Sequence, residues 1–326
     1  MRSTPPGAMR VFGASEVENI LETGALIEAL RGAFRSGAQV PVRHHHTLPV
    51  PGSAVSGSAE ATLLLMPAWQ PGRYCGIKIV TVFPSNGAVG LPSVMGNYLL
   101  LSARTGAPLA LIDGGMLTLK RTAAASALAA KYLSRQDSEK LLMVGTGALA
   151  PHLIFAHASV RPIRELVVWG RDFKKAQTLA ANFDGRRLRA RATANLAEAA
   201  AWADTISCAT LSQAPLIEGA WLRPGQHIDL VGGFTPAMRE ADDEAIHRAR
   251  VYVDTYGGAL KEAGDIVQPL ANGTLLESQI AGDLGALAQG RAAGRSFYNQ
   301  ITLFKSVGTA LEDLAAAELV YETARL

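Results

Sequence analysis

In the first forty residues the apolar positions Val17, Ile20, Leu21, Leu26, Ile27, Leu30 and Phe34 share one broad helical stripe, which predicts a helix with Ser15 as its N-cap. From residue 40 to about 112 the texture changes. Short apolar runs (ATLLLMP, GIKIVTVF, NYLLLSA and APLALID) are punctuated by Pro71-Gly72, Asn86-Gly87 and Thr105-Gly106, the pattern of an antiparallel sheet with turns. GSAVSGS, between Gly52 and Ser58, reads as a surface loop. LTLKRTAAASALAAKYLS, over 117–134, predicts an Ala-rich helix suited to close packing.

Beyond that helix the rhythm alternates. KLLMVG, ELVVWG, RLRARAT, DTISCAT, HIDLVGG and VYVDT read as strands, separated by helical stretches such as ALAPHLIFAHASV and DFKKAQTLAANF. Alternation at this spacing predicts a parallel sheet wrapped by helices. LFKSVGTALEDLAAAELVYETA predicts a final amphipathic helix, packed back on the first domain. Boundaries fall near 120–135 and 295–305, and a chain of 326 residues suits two domains at roughly 150 residues each.

Composition narrows the classes. Apolar content of 48% and charged content of 18% describe an ordinary globular chain. A net charge of +3 without a dense basic block gives no support to nucleic-acid or membrane-surface binding. Two distant cysteines, Cys75 and Cys208, argue against a disulfide framework or a structural zinc site. The opening MRSTPPGAMR lacks a signal-peptide core, and no apolar run reaches the roughly 18 residues of a membrane span. The cytoplasm is the expected setting.

The stretch LLMVGTGALAPHL places Gly145-x-Gly147-x-x-Ala150 after an expected strand and at the opening of an expected helix. That context is what a dinucleotide turn requires. Gly145 makes the turn, Gly147 admits the pyrophosphate, and Ala150 keeps helix and strand close. At the end of the next strand, where NAD sites carry an acid, stand Gly170 and Arg171. An arginine there can hold a 2′-phosphate, a contact worth about 1.5–3 kcal/mol. The expectation is therefore NADPH, with NADH a weaker alternative. Lys174 and Lys175 can assist, and Asp172 reads as a helix cap.

Three cations stand out in the sheet region: Arg43, Lys78 within the apolar GIKIVTVF, and Arg121 ahead of a run of small residues. An anion-binding role and a plain surface role are both compatible with their spacing. PVRHHHTLP, LLLMPAW, GIKIVTVFP, LTLKRTAAASALAAKYL, VGTGALAPHL, LVGGFTP and ITLFKSVGTALEDLAAA, in that order from about 40 to 320, resemble the ornithine cyclodeaminase/mu-crystallin family. The resemblance implies a Rossmann-type doubly wound parallel sheet, residues 121–304. This is inserted into an α+β substrate-binding and dimerisation domain, residues 1–120 plus 305–326. It implies a homodimer formed by joining sheets.

The resemblance also implies roles. Arg43, Lys78 and Arg121 would grip a substrate carboxylate, with Val307 bordering the substrate. Gly145, Gly147, Ala148, Leu149, Arg171, Thr210, Leu211, Val231, Gly232, Gly233, Ser93 and Ser306 would line the cofactor, with Arg121 shared. Cyclodeaminases carry acids at the places held here by Leu64 and Phe234. Their absence weighs against ring closure with ammonia loss. LVGGFTPAMREADDEAI and the RHHH tract at 43–46 are similar to the Δ1-pyrroline-2-carboxylate and Δ1-piperideine-2-carboxylate (ketimine) reductase subgroup. The expected activity is reduction of the cyclic imine to L-proline or L-pipecolate, with Lys78 as proton donor. The alternatives are a cyclodeaminase, an alanine-type dehydrogenase, and a mu-crystallin-like binder of NADPH and a second ligand. His44 and His46 share a strand face that could meet the pocket, and no metal is expected. Asp113 reads as a turn residue, and Asp229 as a catalytic acid or a strand-end acceptor.

Overall fold

A computed structural model describes residues 9–49, 61–185 and 188–325; the loop expected at 52–58 lies outside the described residues. The chain divides into two compact units: Met1–Arg121 with Thr309–Leu326, and Thr122–Gly308.

Unit 1 opens on strand β1 (Arg10–Phe12), followed by α1 (Ala14–Ile20) and α2 (Thr23–Ser36). The single helix expected here is two. Glu22 is extended and its carboxylate accepts from Ala25 N, so it ends one helix and caps the next. Ser15 lies inside α1, whose N-cap is Gly13. The expected stripe still faces inward, with Val17, Leu21, Leu26, Ile27, Leu30 and Phe34 buried.

Five strands follow: β2 (His44–Leu48), β3 (Ala61–Trp69), β4 (Tyr74–Val82), β5 (Val94–Ser102) and β6 (Pro108–Asp113). They pair antiparallel in sequence order, and β1 adds in parallel beside β6. Gly72 and Gly106, at φ +73° and +74°, make the two expected tight turns. Asn86 and Gly87 fall instead in a 3-10 stretch, Pro84–Val89. Register puts Tyr74, Gly76, Lys78 and Val80 on one face, all buried. The C-terminal helix (Ala310–Thr323) packs against β3, β4 and β5. It is not amphipathic as expected. Every residue from Ala310 to Ala317 is buried, including Glu312 and Asp313. The opposite sheet face carries Leu65, Ile77, Ile79, Met95, Leu99 and Leu111, with Ile79 40% exposed.

Helix α3 (Gly114–Leu133) contributes its first turns to unit 1 and the remainder to unit 2. Among its described residues unit 2 holds seven strands: β7 (Lys140–Val144), β8 (Glu165–Trp169), β9 (Arg189–Ala192), β10 (Thr205–Cys208), β11 (His227–Leu230), β12 (Arg250–Val253) and β13 (Thr302–Lys305). All pair in parallel, in the order β12-β13-β11-β10-β7-β8-β9. This is the Rossmann-type sheet of an α/β fold. Its central strands β10, β11 and β13 are buried at every position, apolar and polar alike, as expected of a parallel sheet covered on both faces. Strand β13 lies where the sequence pattern predicts the start of the final helix. Its TLFK run is fully buried between β11 and β12. From β7 the chain moves outward to β8 and β9, then returns to β10 on the other side. The switch point lies between β7 and β10, where ligands of such sheets bind at the carboxyl ends.

Candidate active site

In unit 1, alternation along β4 turns Lys78 inward, where it is 2% exposed. Its Nζ lies 2.8 Å from Asp313 Oδ2 and 2.9 Å from Oδ1, with Thr118 Oγ1 at 3.4 Å. Arg121, on α3 and 5% exposed, donates from Nε to Asp313 Oδ1 at 3.0 Å and pairs with Glu312 Oε2 at 2.6 Å. Half-buried Arg43 precedes β2, close enough to act on both Lys78 and Asp313. The structure thus brings all three expected cations together. Burial pulls the Lys78 ammonium down to about 8; Asp313 opposes the shift, and Arg121 and Arg43 add to it. Burial pushes Asp313 up, but Lys78 and Arg121 outweigh it and hold the carboxyl below its ordinary value.

Asp313 and Glu312 were missed in the sequence. They lie on a helix that reads there as amphipathic, so an acid pair passes for a solvated face. Among these five groups three cations face two carboxylates, an excess of one positive charge that suits an anionic ligand. Leu64 lies on the Lys78 face, opposite Val80. His45 shares that face, while His44 and His46, rings 6.2 Å apart, are on the other. All three histidines are exposed. Ser93 is exposed ahead of β5, its carbonyl accepting from Phe83 N. Asp113 caps the first turn of α3 through Met116 N.

In unit 2 the expected cofactor residues gather at the carboxyl ends of adjacent strands. Gly145 follows β7 at φ +117°, and a Cβ there would stand 2.6 Å from Ala209 O. Only glycine fits that turn. Gly147 is exposed, and a Cβ on it would meet nothing within 4 Å. That open space leaves the backbone accessible to a pyrophosphate. Exposed Ala148 and the N-cap Leu149 lead into α4 (Ala150–Val160), whose N-terminus, the positive end of the helix dipole, lies at the same end. The turn therefore fits a dinucleotide.

Thr210 and 68%-exposed Leu211 follow β10. Val231, Gly232 and Gly233 follow β11, and Ser306 and Val307 follow β13. Val231 N donates to Cys208 O at 2.8 Å, Ser306 N to Leu230 O at 3.1 Å, and Val307 N to Asp254 Oδ2 at 2.8 Å. Exposed Arg171 follows β8, and Asp172 is engaged by Lys174 N and Lys175 N as the cap of the next helix.

Asp229 is a different matter. Fully buried in β11, it accepts from Ser126 Oγ at 2.9 Å and Ser207 Oγ at 2.7 Å, with His157 Nε2 at 3.0 Å. Satisfied on every side and out of reach of solvent, it joins α3, α4, β10 and β11 rather than doing chemistry. His157 and the two serines carry no sequence signal of their own.

Comparison with known proteins decides the family. The ornithine cyclodeaminase/mu-crystallin family matches residues 9–326. The chain belongs to that family. It is similar to Δ1-pyrroline-2-carboxylate reductase of Colwellia psychrerythraea, 37% identical over 317 residues, 96% of this chain and 99% of that one. The structure of Thermococcus litoralis Δ1-pyrroline-2-carboxylate reductase in complex with NADH and L-proline matches with TM-score 0.90 and 33% identity, covering 97% of this chain and 98% of that one. An archaeal alanine dehydrogenase dimer with bound NAD matches with TM-score 0.88 and 30% identity, covering 97% and 96%.

These two complexes correct one expectation. Arg171 pointed to NADPH, yet both structural relatives hold the cofactor without a 2′-phosphate. NADH is the better-supported cofactor. The physical reason is that Arg171 is exposed, with Lys174 and Lys175 exposed beside it and their backbone N–H groups donating to Asp172. A guanidinium at that place can stack on an adenine without any 2′-phosphate.

Proposed function

We propose that this protein reduces a cyclic imino acid with NADH, converting Δ1-pyrroline-2-carboxylate to L-proline, with the six-membered homologue as a second substrate. The cluster of buried Lys78 and Arg121 with half-buried Arg43 carries the reading, together with the likeness to a reductase that holds NADH and L-proline.

Unit 2 holds the dinucleotide through Gly145, Gly147, Ala148 and Leu149. Arg171 lies on the adenosine side, and Thr210, Leu211, Val231, Gly232, Gly233 and Ser306 on the nicotinamide side. Bound there, NADH supplies the hydride that reduces a C=N bond. Unit 1 supplies the anion grip. Arg43, Lys78 and Arg121 hold the carboxylate and fix the ring, a positioning contribution.

Lys78 is the proton donor to the ring nitrogen, directly or through water. An ammonium near 8 is matched to neutral working pH, where it is charged yet gives up a proton more readily than a free lysine. The imine carbon gains the hydride and the nitrogen the proton. The product is a secondary amine, and Lys78 is reprotonated from solvent.

A homodimer belongs to this reading: the apolar sheet face around Ile79 and Leu99 offers a surface for a second copy. A cytoplasmic setting does too, supported by the free thiols of Cys75 and Cys208. The test is loss of NADH absorbance with Δ1-pyrroline-2-carboxylate, run beside ornithine plus NAD. Fast NADH oxidation is expected in the first and no proline in the second, since Leu64 and Phe234 cannot shuttle protons. Proline from ornithine, with no imine reduction, would overturn the proposal.

A further inference from the structure

Glu240 lies in unit 2 between two turns to which it does not belong. One follows β10 and carries Thr210; the other follows β11 and carries Gly232 and Gly233. Its Oε1 accepts from Thr210 N at 2.7 Å and from Thr210 Oγ1 at 2.8 Å. A Cβ on Gly232 would stand 2.4 Å from that same oxygen and 2.1 Å from Thr210 O. The two turns therefore touch across the Glu240 carboxylate, and only glycine leaves room for the contact.

The backbone on either side of this contact is held from behind, while Glu240 Oε2 is buried without a hydrogen-bond partner. Lys305 donates to Gly232 O and lies 2.9 Å from Asp265 Oδ2. Asp265 Oδ1 accepts from Glu240 N at 2.8 Å and Ala241 N at 3.0 Å. A Cβ on Gly233 would meet Asp265 Oδ2 at 2.7 Å. Glu240, Asp265 and Lys305 are all 0% exposed. When Glu240 is ionised, two acids face one ammonium and leave a buried excess of one negative charge, an arrangement that costs stability. Burial pushes Glu240 up to about 7, with Lys305 opposing and Asp265 adding. A neutral or apolar side chain would fill the space at less cost, so packing alone does not account for the acid.

We propose that Glu240 is a positioning residue for the nicotinamide end of the cofactor: its carboxylate locks the Thr210 turn against the Gly232–Gly233 turn, and binding of that end depends on the lock. This rests on the cofactor reading above. Glu240 acts through Thr210 and Gly232 and touches no cofactor itself.

The experiment is fluorescence titration of NADH, and competition by ADP-ribose, with wild type, Glu240→Ala and Glu240→Gln, alongside thermal unfolding. ADP-ribose carries the adenosine and pyrophosphate but no nicotinamide. Glu240→Ala is expected to weaken NADH about tenfold or more while moving ADP-ribose less than about twofold. Glu240→Gln keeps an acceptor oxygen for Thr210 and is expected within about threefold of wild type. If the alanine variant does not fold, Glu240→Asp keeps the charge, shortens the reach by one methylene, and is expected to weaken NADH selectively. A folded Glu240→Ala protein with wild-type NADH affinity, or one losing both ligands equally, would overturn the proposal. Wild-type protein that binds ADP-ribose as tightly as NADH would refute the nicotinamide assignment of the two turns. Wild type that binds neither would refute the cofactor reading itself.

Discussion

Lys78 and Asp313 form a buried ion pair at 2.8 Å, and the same carboxylate accepts from Arg121 at 3.0 Å. One acid thus sets the position of two of the three proposed carboxylate-binding cations. Asp313→Asn removes the charge and leaves both cations under-compensated inside unit 1. Breaking such a pair costs roughly 3–5 kcal/mol of stability, measurable by denaturant unfolding. The variant should also show Lys78 pulled further below about 8, since Asp313 is the group that raises it. The basic limb of kcat/KM for the imine should move to lower pH. An unmoved limb would separate Lys78 from the pH profile.

Lys78 makes a second pH statement, about folding. Its native value of about 8 lies below the unfolded 10.5, so between them the unfolded chain binds more protons. Stability from this group therefore rises with pH across that window. In Lys78→Met this rise should vanish, read as the slope of unfolding free energy against pH.

The same substitution tests catalysis. Lys78→Met should lower kcat by about 10²–10⁴, the span of general-acid contributions. A variant keeping near-normal kcat with only a raised KM for the imine would leave Lys78 as part of the grip alone.

Arg171 marks the limit of what one residue can decide. Its exposed guanidinium should contribute about 1 kcal/mol or less to cofactor binding. Arg171→Ala is expected to raise KM for NADH by less than about tenfold, with kcat unchanged. Steady-state kinetics with NADH as the varied substrate check this.

The apolar sheet face of unit 1 predicts assembly. Ile79 sits at its centre, paired with Leu65 and Asn97 on neighbouring strands. Ile79→Lys places a charge in the proposed dimer contact and should yield monomers in analytical ultracentrifugation. Unchanged dimers would send the contact elsewhere.

How much of this was legible beforehand depended on whether the signal was local. The Gly145–Ala150 turn is a contiguous pattern with a strand before it and a helix after, and it stood out. Lys78 and Arg121 announced themselves as charges in apolar or small surroundings. Asp313, 235 residues from Lys78, did not, because its partner is supplied by the fold and not by its neighbours. The same holds for Glu240, 30 residues from Thr210, and for His157 beside Asp229. β1, with three residues, and β13, with four, carry too little periodicity to be told from loop or helix. The break at Glu22 was hidden because the apolar stripe continues across it.

Gly145 and Gly147 are two glycines of one turn, and they should fail differently. At Gly145 the backbone is at φ +117° and Ala209 O stands 2.6 Å from any Cβ. Gly145→Ala therefore strains the protein itself, by roughly 1–3 kcal/mol, and should lower Tm without any ligand present. At Gly147 a Cβ meets nothing, so Gly147→Ala should leave the apo Tm essentially unchanged. What the methyl group obstructs is the close approach of the pyrophosphate. NADH affinity should fall about tenfold or more, and ADP-ribose affinity with it, because both ligands carry that pyrophosphate. A Gly147→Ala protein binding both ligands normally would remove the pyrophosphate from this turn.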